Sequence, residues 1–314
     1  FEYYMYLLKG ALSGQSLYEL GRGLEQQKEY MYLEVPAGEG LYTWIDDGDG
    51  VQQLGEFELS NFQDQANFIK VYTVTSEYQK VYTLAFNQSL NLNLKRLWIK
   101  QKGIKGFLSK FSDQLNAQIN RKTIQGGDMD YFNPFYESYI ADELVSINSM
   151  LRNVFFFNRA NAKYSIEWHL IKNRQKSFLI NGFEERAKEE NKIKARINWN
   201  KNYKSRLTLT ESYQKTASDW MQLKNYNIKI REVEKSLEWI AMRKSRLSIN
   251  LRLSEKENIL SGASEKATIQ DISLDWSYNL IKKSALSTRI SLLKVNYTGS
   301  TNTSLNYIML EALQ

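Results

Sequence analysis

The stretch Asp46-Asp-Gly-Asp-Gly places three carboxylates beside two glycines, a pattern that could bind calcium. Calcium loops carry oxygen ligands at positions 1, 3, 5, 7 and 12, with glycine at position 6 for the sharp turn. If Gly50 occupies position 6, then Asp49 is at position 5, the Val51 carbonyl at 7 and Glu56 at 12. The second half of such a loop therefore has suitable oxygen donors.

The first half of the loop fits less well. Position 1 would be Ile45, whose side chain cannot bind a cation, and two neighbouring carboxylates crowd the remaining ligand positions. Asp and Gly also form ordinary turns, which Asp side chains cap by accepting hydrogen bonds from the backbone. Two hypotheses stay open: such a turn, or a calcium site formed by Asp46, Asp47, Asp49, Val51 and Glu56.

His169, the only histidine, is the one candidate for acid–base chemistry. Glu167 lies two residues earlier, and residues two apart share a face of a strand, so these side chains could form a hydrogen bond. Position 171 is Ile, however, so this strand supplies no serine nucleophile. The chain also has no Cys, and it contains no phosphate-binding glycine loop or nucleophile elbow. We therefore predict that it is not an enzyme.

These residues lie in a sequence dominated by alternation. In Ser245–Ser254, aliphatic residues occupy every second position, and Ser, Asn or Arg occupy the positions between them. A period of two is typical of a strand with different environments on its two faces. The pattern predicts strands at residues 81–95, 111–119, 145–158, 162–172, 176–187, 191–200, 204–215, 226–240, 245–257, 267–281, 284–298 and 304–314. Within 284–298 the apolar register slips by one residue, which indicates a bulge or the end of the membrane zone.

The connections between these strands alternate in length. Short ones at Asn158–Asn161, Lys201–Lys204, Met242–Lys244 and Lys282–Lys283 alternate with longer ones at 182–190, 216–225, 257–266 and 299–303. Transmembrane barrels have short periplasmic turns and longer extracellular loops. A soluble β-sandwich, the alternative, has shorter strands. We therefore expect an all-β protein: an antiparallel transmembrane outer-membrane β-barrel of at least 12 strands, with a small N-terminal β/loop region.

If the chain forms such a barrel, each part of the sequence and each face of a strand has an expected location. Residues 1–78 would form a β-hairpin and acidic-loop region outside the cell, with a long structured loop at 55–78, and residues 79–314 the barrel strands. Both ends of the chain lie inside β patterns, so we expect a part of a longer protein. The predicted lumen-facing charged residues are Glu167, His169, Lys194, Arg196, Arg206, Arg252 and Asp275, and the predicted lipid-facing aromatic residues are Trp168, Trp199, Trp276 and Tyr278.

Composition agrees with this expectation. The chain has 20 Tyr and 7 Trp, which suits strands and the aromatic girdles of membrane barrels. The sequence has no apolar run long enough for a transmembrane helix. The net charge of +7 shows no dense basic run, so solvated turns and faces account for it better than nucleic-acid binding does.

Several segments resemble a known family. Gly40–Glu58, Leu144-Val-Ser-Ile-Asn, Asn181-Gly-Phe-Glu, Glu265-Lys-Ala-Thr and Met309-Leu-Glu-Ala-Leu are similar to motifs of large outer-membrane β-barrel surface proteins of Bacteroidota. The resemblance covers the chain from about residue 25 onward, and it implies the C-terminal barrel part of such a protein. It implies an outer-membrane location with long loops outside, but no assigned reaction.

From this resemblance we expect contact with outer-membrane lipids, including lipopolysaccharide, and with other outer-membrane proteins or lipoproteins. The leading functional hypothesis is a non-enzymatic barrel subunit of an outer-membrane complex that serves protein export, surface display or transport. A solute-conducting, porin-like channel and a soluble surface adhesin are the alternatives. Calcium is the only cofactor hypothesis.

Overall fold

The computed structural model describes residues 1–60, 62–124, 132–135, 144–179, 182–219, 225–241, 245–280, 284–299 and 304–310. Its strands are β1 Glu2–Leu7, β2 Leu12–Glu34, β3 Tyr42–Trp44, β4 Phe57–Leu59, β5 Phe68–Asn93, β6 Phe111–Thr123, β7 Leu144–Phe157, β8 Tyr164–Leu179, β9 Gly182–Asn198, β10 Tyr203–Ser218, β11 Tyr226–Ala241, β12 Ser245–Asn258, β13 Lys266–Leu280 and β14 Ser284–Thr298. The α-helices are α1 Lys95–Trp98, α2 Gly103–Leu108 and α3 Ser304–Met309, and short 3-10 turns lie at Leu8–Gly10, Leu54–Glu56 and Gln63–Gln65.

The strands form one large antiparallel sheet. Its order is β1-β2-β5-β6-β7-β8-β9-β10-β11-β12-β13-β14, and the short strands β3 and β4 pair beside one end of β5. The expectation of an all-β protein with a large antiparallel sheet is therefore confirmed. Among the described residues, β1 pairs only with β2 and β14 only with β13.

Antiparallel pairing places the connections at two ends of the sheet. The end that we call the turn end holds the described connections at residues 8–11, 94–110, 158–163 and 199–202. The opposite end, the loop end, holds the described residues 35–60, 62–67, 124, 132–135, 219, 225 and 259–265. The predicted turns 242–244 and 282–283, and most of the predicted loop 124–143, lie outside the described residues.

Three predictions about strands were wrong. The predicted strands 162–172, 176–187 and 191–200 are two long strands, β8 and β9, so residues 182–190 form a strand and not a long loop. The predicted long loop 55–78 contains β4 and the start of β5, and the expected domain boundary after residue 78 lies inside β5. The predicted strand 304–314 begins with helix α3, and residues 311–314 lie outside the described part.

From β8 to β13 the two faces of the sheet have opposite chemistry. We call the face that carries Trp168 the apolar face, and the neighbouring residues in register with it are Ile193, Leu209, Val233 and Leu253. These five side chains are 41–49% exposed. The other, polar face carries residues that are almost fully buried, among them Ser165, Thr208, Ser254 and Ser273. Exposed apolar and buried polar residues are the reverse of the distribution in a soluble protein.

The burial of the polar face arises because the sheet curls toward it. Strands β5 and β9 are four steps apart in the sheet order, which would be ~19 Å in a flat sheet. Yet Lys70 Nζ of β5 lies 3.7 Å from Glu184 Oε2 of β9. Cα atoms of β2 also approach those of β8 to within 8 Å, although three strands separate them in the order.

Two small apolar cores lie at the loop end. In the first, Tyr32, Phe57 and Phe68 are buried, with Tyr42, Trp44 and Leu54 packed around them, so this core joins β3 and β4 to the ends of β2 and β5. In the second, Met309 of α3 is fully buried against Ile228 and Ala267, and Lys256 Nζ donates to the Ile308 carbonyl at 3.2 Å. Helix α3 therefore covers the polar face at the loop end of β11–β14.

This helix explains the slip of the apolar register in β14. The pairing of β13 with β14 is continuous from Lys266↔Thr298 to Leu280↔Ser284, so the strand has no bulge. Tyr297 pairs with Ala267 and packs with it against α3. The register of apolar residues changes because the polar face is itself covered there by an apolar helix.

We call the part of the chain that contains β3 and β4 the β3–β4 segment, and we expect Phe57→Ala to release it from the ends of β2 and β5. Phe57 is 5% exposed and stacks on Tyr32 with ring centroids 4.1 Å apart, so the cavity would cost ~3–5 kcal/mol. Hydrogen exchange and proteolysis should increase within residues 35–67 while β7–β13 stay protected. Leu59→Ala in the same strand, where Leu59 is exposed, is the matched control. Equal behaviour of the two variants would contradict the importance of this core.

Candidate functional site

The acidic loop at residues 45–56 is held by the β3–β4 hairpin. Trp44 pairs with Phe57, and the Ile45 N–H donates to the Glu56 carbonyl at 2.8 Å, so the two ends of the loop are closed. Asp46 Oδ1 accepts the N–H groups of Gly48 and Gly50, each at 3.0 Å. Both glycines have positive φ, 108° and 71°, which a side chain would oppose. The Asp/Gly turn expected from the sequence is therefore present.

The same loop gathers the predicted cation ligands. One carboxylate oxygen from each of Asp46, Asp47, Asp49 and Glu56 lies within 4.8 Å of the others. Two oxygens that bind one calcium ion at 2.3–2.6 Å can be up to ~5 Å apart, so this spacing fits the ion. Val51, the fifth predicted ligand, donates its N–H to Asp49 Oδ1 at 2.7 Å.

Hydrogen bonds within the loop already occupy some of these carboxylate oxygens, and Glu56 keeps one that they do not. Glu56 Oε2 accepts from Trp44 Nε1 at 2.6 Å and from the Gln53 N–H at 3.1 Å. Glu56 Oε1 is buried and has no hydrogen-bond partner among the described residues. Asp49 uses both oxygens within the loop, since Oδ2 accepts from Gln53 Nε2 at 2.8 Å. The turn and the calcium hypotheses are thus compatible with one geometry, and calcium binding stays a prediction.

Hydrogen bonding lowers the pKa of Asp46 below the ordinary aspartate value. The main causes are the N–H groups of Gly48 and Gly50, which favour the ionised carboxylate. A carboxylate whose pKa is lowered by folding stabilises its loop above the ordinary aspartate pKa, and this contribution is lost as the pH falls through the lowered value. The loop should therefore keep its shape at neutral pH.

The predicted lumen-facing residues all lie on the polar face, and four of them line one cavity. Glu167 is opposite Lys194 across β8 and β9, and Arg196 is opposite Arg206 across β9 and β10. The cavity has a volume of about 590 Å³. Sequence analysis missed four further charged residues that line it, although alternation along β9 and β11 could have indicated three of them: Arg159, Lys192, Glu232 and Glu234.

The other three predicted polar-face residues make local pairs. His169 Nε2 lies 3.1 Å from Glu167 Oε2, so these side chains meet as their spacing suggested. Arg252 lies 3.9 Å from Glu232 Oε2. Asp275 pairs with Arg289 at 3.2 Å and accepts from Asn250 Nδ2 at 2.8 Å. Mixed signs that neutralise one another are typical of the wet interior of a barrel.

The predicted lipid-facing aromatic residues lie on the apolar face. Trp168 is 49% exposed and Trp199 is 71% exposed. Trp276 stacks on Tyr278 with ring centroids 6.2 Å apart. Tyr203 and Trp239 form a similar stack at 6.4 Å. Most of these rings cluster near the turn end of β9–β13.

The two ends of the sheet carry opposite charge. The described connections at the turn end contain ten Lys and Arg residues and no Asp or Glu. The described residues at the loop end contain nine Asp and Glu residues and no Lys or Arg. The net charge is therefore not spread evenly over turns and faces, as the sequence had suggested, but separated along the strands. This separation became visible only when the topology assigned each connection to an end.

No helix among the described residues is both long and apolar enough to cross a membrane.

We expect the acidic loop to bind calcium at about millimolar affinity, as extracellular calcium modules do. Calorimetry should show heat with the wild type and none with Asp49→Asn combined with Glu56→Gln, and calcium should slow proteolysis within residues 46–58. Asp64→Asn, in the 3-10 turn Gln63–Gln65 outside the cluster, is the matched control and should bind like the wild type. Absence of heat with the wild type would leave the self-capped turn as the explanation of the loop.

Comparison with models of known protein families gave no match to this chain. A search of curated proteins gave no significant match either.

Proposed function

We propose that this chain forms part of a β-barrel in a bacterial outer membrane, where it acts as a non-enzymatic subunit of a larger complex. The observation that carries the proposal is the reversed distribution of side chains on the sheet: apolar residues are exposed on one face and polar residues are buried on the other. Exposed apolar surface of this extent is stable in lipid and promotes aggregation in water. Lipid in contact with the apolar face would explain its exposed apolar residues, and water inside the curled sheet would explain the polar residues of the other face.

The apolar residues of the apolar face end abruptly toward the loop end of the sheet. One rung of the sheet carries Trp168, Ile193, Leu209, Val233 and Leu253, and the next rung of that face toward the loop end carries Leu170, Asn191, Glu211, Arg231 and Glu255. Ion pairs follow immediately, such as Lys229–Glu211 at 3.0 Å and Arg174–Glu185 at 2.7 Å. A change from aliphatic to charged residues within one rung is expected where strands leave hydrocarbon and meet headgroups.

The apolar zone is close to the thickness of a membrane barrel. In β12 it runs from Leu247 to Leu253, which is about 20 Å along the strand. Transmembrane barrels have an apolar band ~25 Å tall that is flanked by aromatic residues. Here Trp199, Trp276 and Tyr278 lie at the turn end and extend the zone in that direction. The apolar band is thus somewhat shorter than in typical membrane barrels, and aromatic residues border it at the turn end.

The edges of the sheet support the assignment as a subunit. Among the described residues, each edge strand has one neighbour, so its outer backbone groups have no partner in the sheet. Unpaired backbone groups cost several kcal/mol each in hydrocarbon, and closed sheets are therefore required there. The edges must pair with each other or with further strands. A barrel that is completed or supported by other polypeptides suits a role in protein export, surface display or transport.

A conducting pore is the second candidate, because the polar face encloses the charged cavity between β8 and β11. The loop end nevertheless has covers. The end of β5 that approaches β9 through Lys70 and Glu184 also packs against the β3–β4 segment, and α3 lies on the polar face of β11–β14. Both covers would narrow an opening at this end. A soluble adhesin, the third candidate, leaves the exposed apolar face without an explanation.

The resemblance to outer-membrane proteins of Bacteroidota supports the same location. In that orientation the loop end and the acidic loop face outward, toward lipopolysaccharide, and the turn end faces the periplasm. Calcium outside the cell would then reach the acidic loop. The partners that we propose are other outer-membrane proteins or lipoproteins.

Arginine should be tolerated on one face of β12 and rejected on the other. Ile249→Arg places a charge in the apolar band, where it costs ~2–4 kcal/mol in a membrane barrel. Ser248→Arg, the matched control, lies on the polar face between Glu238 and Asp275 and should fold normally. Folding into vesicles is measured by heat-modifiable migration on a gel. Equal folding of both variants, or a larger defect in Ser248→Arg, would argue against lipid contact.

A subunit and a pore differ in planar bilayers. We expect no stable channels from the purified chain alone, because the covers at the loop end and the open edges oppose an independent pore. Cross-linking and co-purification from detergent-solubilised membranes should instead recover a defined protein partner. Stable channels in the absence of any partner would favour the porin-like function.

A further inference from the structure

The connection between β5 and β6, residues 94–110, differs from the other connections at the turn end. It is the longest of them and contains α1 and α2. It carries six positive charges and no acidic residue: Lys95, Arg96, Lys100, Lys102, Lys105 and Lys110. The whole chain has a net charge of +7, so this single connection carries nearly all of that excess.

Apolar side chains of the same connection point into solvent. Ile104 is 80% exposed, Ile99 is 61% exposed and Phe107 is 51% exposed. Ile104 and Phe107 are three residues apart in α2 and therefore lie on one side of it. A short segment that combines exposed large apolar residues with lysines has the composition of an element that lies at a membrane interface.

The segment is continuous with the apolar face of the sheet. The Phe107 ring centroid lies 5.3 Å from that of Phe111 and 5.8 Å from that of Phe157. Phe111 and Phe157 pair across β6 and β7, and Phe155, two residues before Phe157 on the same face, is opposite Trp168. The exposed apolar surface therefore extends without a break from the band onto α2.

Local bonds hold the segment against the end of the sheet. Arg96 Nη1 donates to the Gly10 carbonyl at 2.7 Å, which ties α1 to the connection between β1 and β2. Ser109 Oγ donates to the Gly106 carbonyl at 2.7 Å and closes α2. The Asn158 N–H donates to the Lys110 carbonyl at 2.8 Å, which joins the segment to the next connection. The position of the apolar and basic side chains is thus fixed relative to the band.

We propose that residues 94–110 form an interfacial anchor that binds the phosphate headgroups of anionic phospholipids in the leaflet at the turn end. The inference rests on the proposed membrane location. Lysines attract an anionic leaflet, and Ile104 and Phe107 insert where the apolar band ends. The other connections that the structure describes at the turn end are basic and contain no acidic residue, so they add a field of the same sign. Nucleic acid would satisfy the lysines but not the apolar side chains beside them.

The chain has no cysteine, so Gln101→Cys gives one labelling position in an exposed part of the segment. A polarity-sensitive fluorophore on this residue reports its environment in vesicles of phosphatidylcholine with increasing phosphatidylglycerol. We expect a blue shift with the anionic lipid that high salt reverses, since salt screens such attraction. In the Lys100→Gln, Lys102→Gln, Lys105→Gln variant, the logarithm of the preference for anionic lipid should fall by roughly half, because it scales with the charge of the segment.

The matched control removes three positive charges near the loop end: Lys172→Gln, Lys188→Gln, Lys266→Gln. These lysines lie in ion pairs of 3.3, 3.3 and 2.6 Å on partly exposed surfaces, so their loss should affect folding little. The control should keep the full preference for anionic lipid. An equal blue shift in pure phosphatidylcholine, an equal loss in the control or no lipid dependence at all would overturn the anchor.

Insertion is measured separately in each preparation by heat-modifiable migration. This measurement distinguishes failure of the anchor from failure of the proposed barrel. Normal insertion without a response to anionic lipid would overturn the anchor and leave the barrel intact. Failure of the wild type to insert into any vesicle would overturn the proposed function and the anchor together.

Discussion

The register of the antiparallel ladder decides which face of the sheet each side chain occupies. Side chains alternate between faces with a period of two, so a slip of one residue moves a whole strand's set to the opposite face. If β10 slipped against β11, Arg206 and Thr208 would face outward and Leu207 and Leu209 would enter the polar interior. The continuous rung from Trp168 to Leu253 therefore depends on every pairing between β8 and β12. Hydrogen bonding and the different chemistry of the two faces select the same register.

The loop end follows the same constraint with a local exception. There the polar face carries buried apolar residues, Ile228, Ala267 and Ile269, because α3 covers part of it and excludes water. Similarly, Tyr32 and Phe68 at the ends of β2 and β5 are buried by the β3–β4 segment. The side chains on each part of a face thus match what that part contacts, either solvent or an apolar cover. A single strand such as β14 can therefore carry polar and apolar residues on the same face at different points along its length.

The sequence predicted the repetitive part of the fold well and the covers poorly. Strands β10 to β14 begin and end within three residues of the predicted positions, since alternation is a local signal. The first half of β9 was mistaken for a long loop that begins at Gly182, because charged residues fill this part of the strand. Helix α3 was mistaken for a strand, although Leu305, Ile308 and Met309 have helical spacing. Six residues are too few for that pattern to outweigh a long run of strands.

The candidate sites show the same division between local and distant information. The acidic loop and the Glu167–His169 pair were predictable because their members are near in sequence. The cavity that joins Arg159 to Glu234, and the ion pair between Lys70 and Glu184, depend on curvature that no local pattern encodes. The separation of charge between the two ends of the sheet depends on both local and distant information. Each connection has its sign in the sequence, but only the pairing of the strands places the described basic connections at one end.

This polarity connects the two candidate sites to each other. A protein's charge distribution raises the local concentration of counter-ions near each of its charged surfaces. The acidic end concentrates cations around Asp46, Asp49 and Glu56, and the basic end concentrates anions around the lysines of residues 94–110. In the proposed membrane location, the apolar band would fix how deep the sheet lies but not which end is outside. Opposite charges at the two ends, between leaflets of different headgroup chemistry, would then give the sheet a physical preference for one orientation.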